Sequence, residues 1–86
     1  MVLEYENDNG KRKLIGNPKD FNEVVEMSRE FLKNRDILYW EWMEGDNVWI
    51  LDFGSWREFI FLSNIKPGLY EEMEKFYSKG EKNGTV

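Results

Sequence analysis

Tyr39, Glu41 and Asp52 are the residues whose types and spacing come closest to chemistry. A two-residue turn at Gly45-Asp46 predicts two paired strands, with Trp42 opposite Trp49 and Trp40 opposite Leu51. Strand side chains alternate, so Tyr39, Glu41 and Asp52 share one face. Two carboxylates beside a phenol are a minimal set for general acid–base work. The next turn, Gly54-Ser55, tells against that use. Its register sets Asp52 opposite Arg57, which makes Asp52 an ion-paired structural carboxylate. A catalytic site also needs a sizeable pocket, which 86 residues can barely enclose. Histidine and cysteine are both absent. This removes nucleophilic triads that use a histidine base, and metal sites of the Cys/His kind. Gly10, Gly16, Gly45 and Gly54 stand at turns and element ends, so no glycine-rich phosphate loop exists. The expectation is a chain with no catalytic activity, no cofactor and no metal.

The elements that must position these residues centre on 37–62, which contains all four tryptophans. Three short strands read from this stretch. One face carries Leu38, Trp40, Trp42, Trp49, Leu51 and Phe53. The other carries Tyr39, Glu41, Met43, Val48, Ile50 and Asp52, with Phe59 and Phe61 beside them. Both faces are apolar, so both need a cover.

Residues 2–16 read as a hairpin about Asn9-Gly10, a type I′ turn. That register pairs Asp8 with Lys11, Glu6 with Lys13 and Tyr5 with Leu14. The basic run Lys11-Arg12-Lys13 is thereby the partner strand to Glu4, Glu6 and Asp8. A helix follows, with Asn17 as N-cap, Pro18 in first position and Asp20 in the first turn. Phe21, Val24, Val25, Phe31 and Leu32 form its apolar stripe, with Ser28 between them. Asn34 is placed to close it in a left-handed conformation. A second helix runs from Pro67 to about Ser78 with Leu69, Met73 and Phe76 inward, and Gly80 stops it. The fold class is α+β: an antiparallel sheet of up to five strands, order β-β-α-β-β-β-α, with the main helix packed on one face. Residues 1–80 form one domain and 81–86 a frayed polar tail.

The net charge is −5. That disfavours direct contact with nucleic acid or an anionic membrane and favours a basic partner. No apolar run approaches the ~20 residues of a membrane span, and Met1-Val2-Leu3-Glu4 does not resemble a signal peptide. The expected location is the cytoplasm. Asp20, Glu23, Glu26 and Glu30 line the outer face of the first helix. Glu26 and Glu30 are like charges four residues apart, which costs roughly 0.2–0.5 kcal/mol. Glu41, Glu44 and Asp46 form a second acidic group at the hairpin end.

Carboxylates three or four residues apart on a helix stand about 5–6 Å from one another, near the spacing of phosphates along one DNA strand. In size, acidity and compact α+β build the chain resembles small acidic phage-type nucleic-acid mimics. That resemblance implies a non-catalytic inhibitor of a basic, DNA-binding host protein, engaged through the two acidic groups. The alternative is an adaptor or subunit module that forms a homodimer through the Trp-rich sheet face, anchored by Trp40, Trp42 and Trp49.

Overall fold

The computed structural model describes residues 1–84, with side chains placed through Ser78. The elements are β1 (Val2–Glu6), β2 (Arg12–Gly16), α1 (Phe21–Leu32), β3 (Glu41–Glu44), β4 (Val48–Asp52), β5 (Phe59–Ser63) and α2 (Leu69–Gly84). The five strands form one antiparallel sheet in the order β2-β1-β5-β4-β3, an α+β fold with the expected element order. No described helix is long and apolar enough to cross a membrane.

The chain leaves β2 at one edge of the sheet and must reach β3 at the other. α1 makes that crossing. Its 12 residues span about 18 Å, close to the ~19 Å of four strand spacings. The helix starts at Phe21, three residues later than the expected start at Pro18. Asp20 is the N-cap and accepts from Glu23 N (2.9 Å), while Glu23 accepts from Lys19 N (2.9 Å). This reciprocal pair satisfies two backbone donors, whereas Asn17 offers only one acceptor. Asn17 instead donates to Met1 O (3.2 Å), and Pro18 is buried. At the other end Arg35 N donates to Leu32 O (2.9 Å), closing the helix by a turn. Asn34 does not adopt a left-handed conformation.

Both helices pack on the same face of the sheet. Phe21, Val24, Val25 and Leu32 of α1 and Leu69 of α2 meet Leu3, Trp49, Leu51, Ile60 and Leu62 in one core. The expected helix over Pro67–Ser78 begins later, at Leu69, and continues through Gly80 to Gly84. The frayed tail expected from residue 81 is therefore helical to 84, and residues 85–86 lie outside the described residues. Glu72 joins the helices: it accepts from the free N–H of Phe21 (3.0 Å) and pairs with Lys66 (2.6 Å). These two partners, Lys66 first, hold its carboxyl below the usual carboxylate range.

Each hairpin register differs from expectation. In the first, Glu6 faces Arg12 and Tyr5 faces Lys13. Asn7 N donates to Lys11 O (2.9 Å), and the Asn7 side chain accepts from Asn9 N and Lys11 N. The loop is Asp8-Asn9-Gly10, with Gly10 in the left-handed region at φ 79°. The extra loop residue moves the register by one, which exchanges the faces of β2. In the β3–β4 hairpin, Trp42 faces Leu51 and Glu44 faces Trp49. Its turn centres on Asp46-Asn47, with Asn47 at φ 55°. Between β4 and β5, Leu51 faces Ile60. Asp52 accepts from Gly54 N (3.0 Å) and Ser55 from Glu58 N (3.2 Å), so side chains stabilise a longer loop than a two-residue turn. These last two shifts are by two residues, and the faces survive.

Candidate protein-binding surfaces

Asp52 lies opposite Glu41, and Tyr39 donates to Asp52 (3.0 Å). That bond, more than any other influence, raises the Tyr39 hydroxyl above its ordinary pKa. The expected Asp52–Arg57 pair does not form; the longer loop leaves Arg57 exposed and without an ion pair among the described residues. Asp52 thus has both oxygens engaged as acceptors, by Tyr39 and by Gly54 N, on a flat sheet face.

The acidic residues of α1 are not a uniform row. Asp20 and Glu23 fold back on the helix start, as the cap requires. Glu30 pairs with Lys33 across one turn. Glu26 is exposed and has no ion-pair partner among the described residues. Glu26 and Glu30 stand beside a shallow recess of about 450 Å³ whose apolar lining is Ile15, Met27 and Phe31. At the hairpin end Glu44 is exposed and faces α2. Glu74 first, then Glu44, raises the pKa of the Tyr70 hydroxyl, with Glu71 adding to it. Asp46 is exposed in the turn.

The tryptophan face is the covered one. Trp49 is buried, and Phe21 of α1 packs against it and against Trp42 (ring centroids 6.4 and 6.0 Å). Trp40 and Trp42 both donate their indole N–H to the Tyr77 hydroxyl of α2 (2.8 and 3.1 Å). The indoles expected to anchor a homodimer are therefore occupied within the chain, because α2 settles on them rather than on the opposite face. Burial, offset in part by these bonds, raises the Tyr77 hydroxyl above its ordinary pKa.

The opposite face has no helix over it. Its middle row runs Leu14, Glu4, Phe61, Ile50, Met43 from edge to edge. The adjacent row holds Arg12, Glu6 and Phe59, and the β4–β5 register, extended one residue past Leu51–Ile60, brings Asp52 and its partner Glu41 into line with them. Arg12 leans across these rows. Its guanidinium sits 4.1 Å from the centroid of the Phe61 ring and bonds Glu6 (3.1 Å) and Glu4 (3.5 Å). Among the described residues, four carboxylates and one cation stand on this face, around an apolar centre.

One end of the molecule carries a feature that alternation does not reveal. Leu38 is 75% exposed and Trp56 95% exposed, with Tyr39 and Ile37 nearby in sequence. Leu38 N donates to Phe53 O (3.1 Å), and its side chain lies against Gly54, which brings the segment to the β4–β5 loop. Arg35 donates to Glu58 and to the Tyr5 hydroxyl (3.0 Å), anchoring the base of that loop. The position of Trp56 between a Gly-Ser turn and a strand was the available signal.

No family model, no curated protein and no solved structure matches the chain.

Proposed function

We propose that the chain is a non-catalytic protein-binding module whose partner is basic, and that it docks on the open sheet face. The observation that carries this reading is the charge around the apolar centre of that face. That centre is bordered by Glu4, Glu6, Asp52 and Glu41, against Arg12 alone among the described residues. An uncovered apolar strip marks interfaces, and a ring of carboxylates selects a cationic one. A second copy packed face to face brings these carboxylates toward one another, so the charges favour a basic partner over a homodimer.

Inhibition by nucleic-acid mimicry is the finer form of this reading. Its support lies with Glu44, Asp46 and Glu41 at the hairpin end more than with α1, where three of four carboxylates already serve local partners. A basic DNA-binding protein fits either site.

The test is affinity capture from lysate with three baits: wild type, Glu41→Lys and Glu26→Lys. It is run at about 50 and about 500 mM salt, conditions between which exposed charges become strongly screened. The expected partner is basic, is lost at high salt and with Glu41→Lys, and survives Glu26→Lys. A partner indifferent to salt and to Glu41→Lys overturns the proposal. Concentration-dependent dimerisation in sedimentation, abolished by Phe61→Ser, would instead favour self-association.

A further inference from the structure

Arg12 displays the chemistry that the open face recognises. Its planar cation lies over one aromatic ring, Phe61, and bonds two carboxylates of the neighbouring strand β1, Glu4 opposite that ring and Glu6 opposite Phe59. A ring face with flanking carboxylates suits a guanidinium, which stacks through its plane and donates through its edge.

A related combination stands one row along, and of its carboxylates only Glu6 has a cation among the described residues. Phe59 faces Glu6 on β1. The β4–β5 register, carried one residue beyond Leu51–Ile60, sets Asp52 on the other side of Phe59. Glu41 stands opposite Asp52. Tyr39 and Gly54 donate to Asp52 but bring no charge. Glu6 is engaged by Arg12, and Arg35 is paired with Glu58. Arg57, in the preceding loop, is exposed and outside every ion pair of the described residues.

We infer that Phe59, Asp52 and Glu41 receive the guanidinium of an arginine presented by the partner protein, as Phe61, Glu4 and Glu6 receive that of Arg12. Charge complementarity commits the site to a cation. A nucleobase stacked on Phe59 would carry its phosphate toward Asp52 and Glu41, which repel it. Shape favours arginine over lysine. Neighbouring strands stand about 4.8 Å apart, so the carboxylates of Asp52 and Glu41 are near enough for the two ends of one guanidinium fork, with Phe59 on the strand next to Asp52. A compact ammonium bonds one carboxylate at a time and stacks less well. The face is flat, so one arginine contributes a weak contact, and an extended segment crossing the rows adds to it.

This inference rests on the reading that the partner is basic and uses the open face. Its test is a nuclear magnetic resonance titration of the whole chain with a short arginine-bearing peptide. The controls are the same peptide with citrulline or lysine at that position. The arginine peptide is expected to shift the Phe59 ring and the backbone signals of Asp52 and Glu41 at millimolar concentration. Citrulline, which keeps the shape and loses the charge, should leave them unmoved. Lysine should shift them less. Phe59→Leu, which keeps apolar bulk, should weaken binding by about three-fold, the size of one exposed cation–π contact. Glu41→Gln should weaken it by a similar factor. Circular dichroism of both variants checks that the fold is intact. Equal shifts with citrulline, an undiminished affinity in both variants, or no shift at Phe59 at all overturns the inference. Arginine-peptide shifts confined to Glu26 and Glu30 or to the hairpin end overturn it while leaving a basic partner in place. A lysate partner that ignores salt defeats the wider reading whatever the peptide does.

Discussion

On the helix side of the sheet, Leu3, Leu51, Ile60 and Leu62 are fully buried. One residue further along each strand, on the opposite side, Glu4, Asp52, Phe61 and Ser63 are only half-buried. Side-chain type does not explain all of the difference, since Phe61 is as apolar as the buried Phe21. Cover explains it. Under the cover, two indole N–H groups meet one hydroxyl of α2. On the open face, carboxylates outnumber cations. A sheet apolar on both sides therefore need not be a sheet buried on both sides, and here the excess charge stands on the uncovered one.

The sharpest way to break this contrast is to truncate one ring on each face. Phe21 packs against Trp42, Trp49, Phe76 and Tyr77. Phe21→Ala should cost about 3–5 kcal/mol in denaturant unfolding. Phe61→Ala should cost ~1–2 kcal/mol, since its ring is only partly buried. Equal losses would mean that the open face is as much a core as the covered one.

Tyr77→Phe sharpens the same comparison, because it removes only the acceptor shared by Trp40 and Trp42. Two indole donors then lose their partner under α2, and a loss of about 1–3 kcal/mol is expected. A thermal midpoint equal to wild type would show that water reaches those indoles and that the covered face is looser than its packing implies.

Glu72 tests the joint between the two helices. Glu72→Ala should cost ~1 kcal/mol, the scale of a lost helix cap. Its carboxyl is held below the ordinary value of 4.5 in the folded chain. The stabilisation is therefore complete above that value and disappears as pH falls through the lower, folded one. Unfolding followed from pH 7 downward should show the variant and wild type converging in acid. A gap that stays constant into strong acid would assign the effect to packing.

Gly10→Val should cost ~1 kcal/mol or more, because a β-branched residue resists the φ of 79° found there. It bears on the faces as well: the loop that Gly10 closes decides which side of β2 holds Arg12 and Leu14. The smallest effect is expected at Ser28, a buried hydroxyl on α1 without a hydrogen-bond partner among the described residues. Ser28→Ala should stabilise by about 0.5 kcal/mol, through helix propensity and relief of the unpaired oxygen. A loss instead would reveal an interior water bound to it.

Much of this was legible in the sequence. Alternation gave the tryptophan and phenylalanine faces of β3, β4 and β5 correctly, because period-two patterning survives a register error of two residues. It failed on β2, where the error was of one. The competing signal was Asn7, whose side chain bonds two loop N–H groups and lengthens the turn, an effect that an Asn-Gly pair two residues on conceals. The cover was less legible still. Nothing in the spacing of α2 says on which face it lands; the indole N–H groups of Trp40 and Trp42 decide it by needing Tyr77. Spacing alone makes the carboxylates of α1 a row, and spacing cannot tell a free carboxylate from one folded back as a cap.

The strand order carries a consequence for how the chain assembles. β1–β2 and β3–β4 are local hairpins, each able to close within a short stretch of chain. β5 alone joins them, pairing with β1 on one side and β4 on the other. The contact of Tyr5 with Glu58 at that seam spans 53 residues. Closing so long a loop carries an entropic penalty that must be met before distant contacts return anything, which slows the search for the native state. During synthesis the keystone strand emerges after both hairpins and α1. Until it does, two half-sheets with unsatisfied edges wait side by side, and that interval is when the nascent chain is most exposed to wrong pairing with its neighbours.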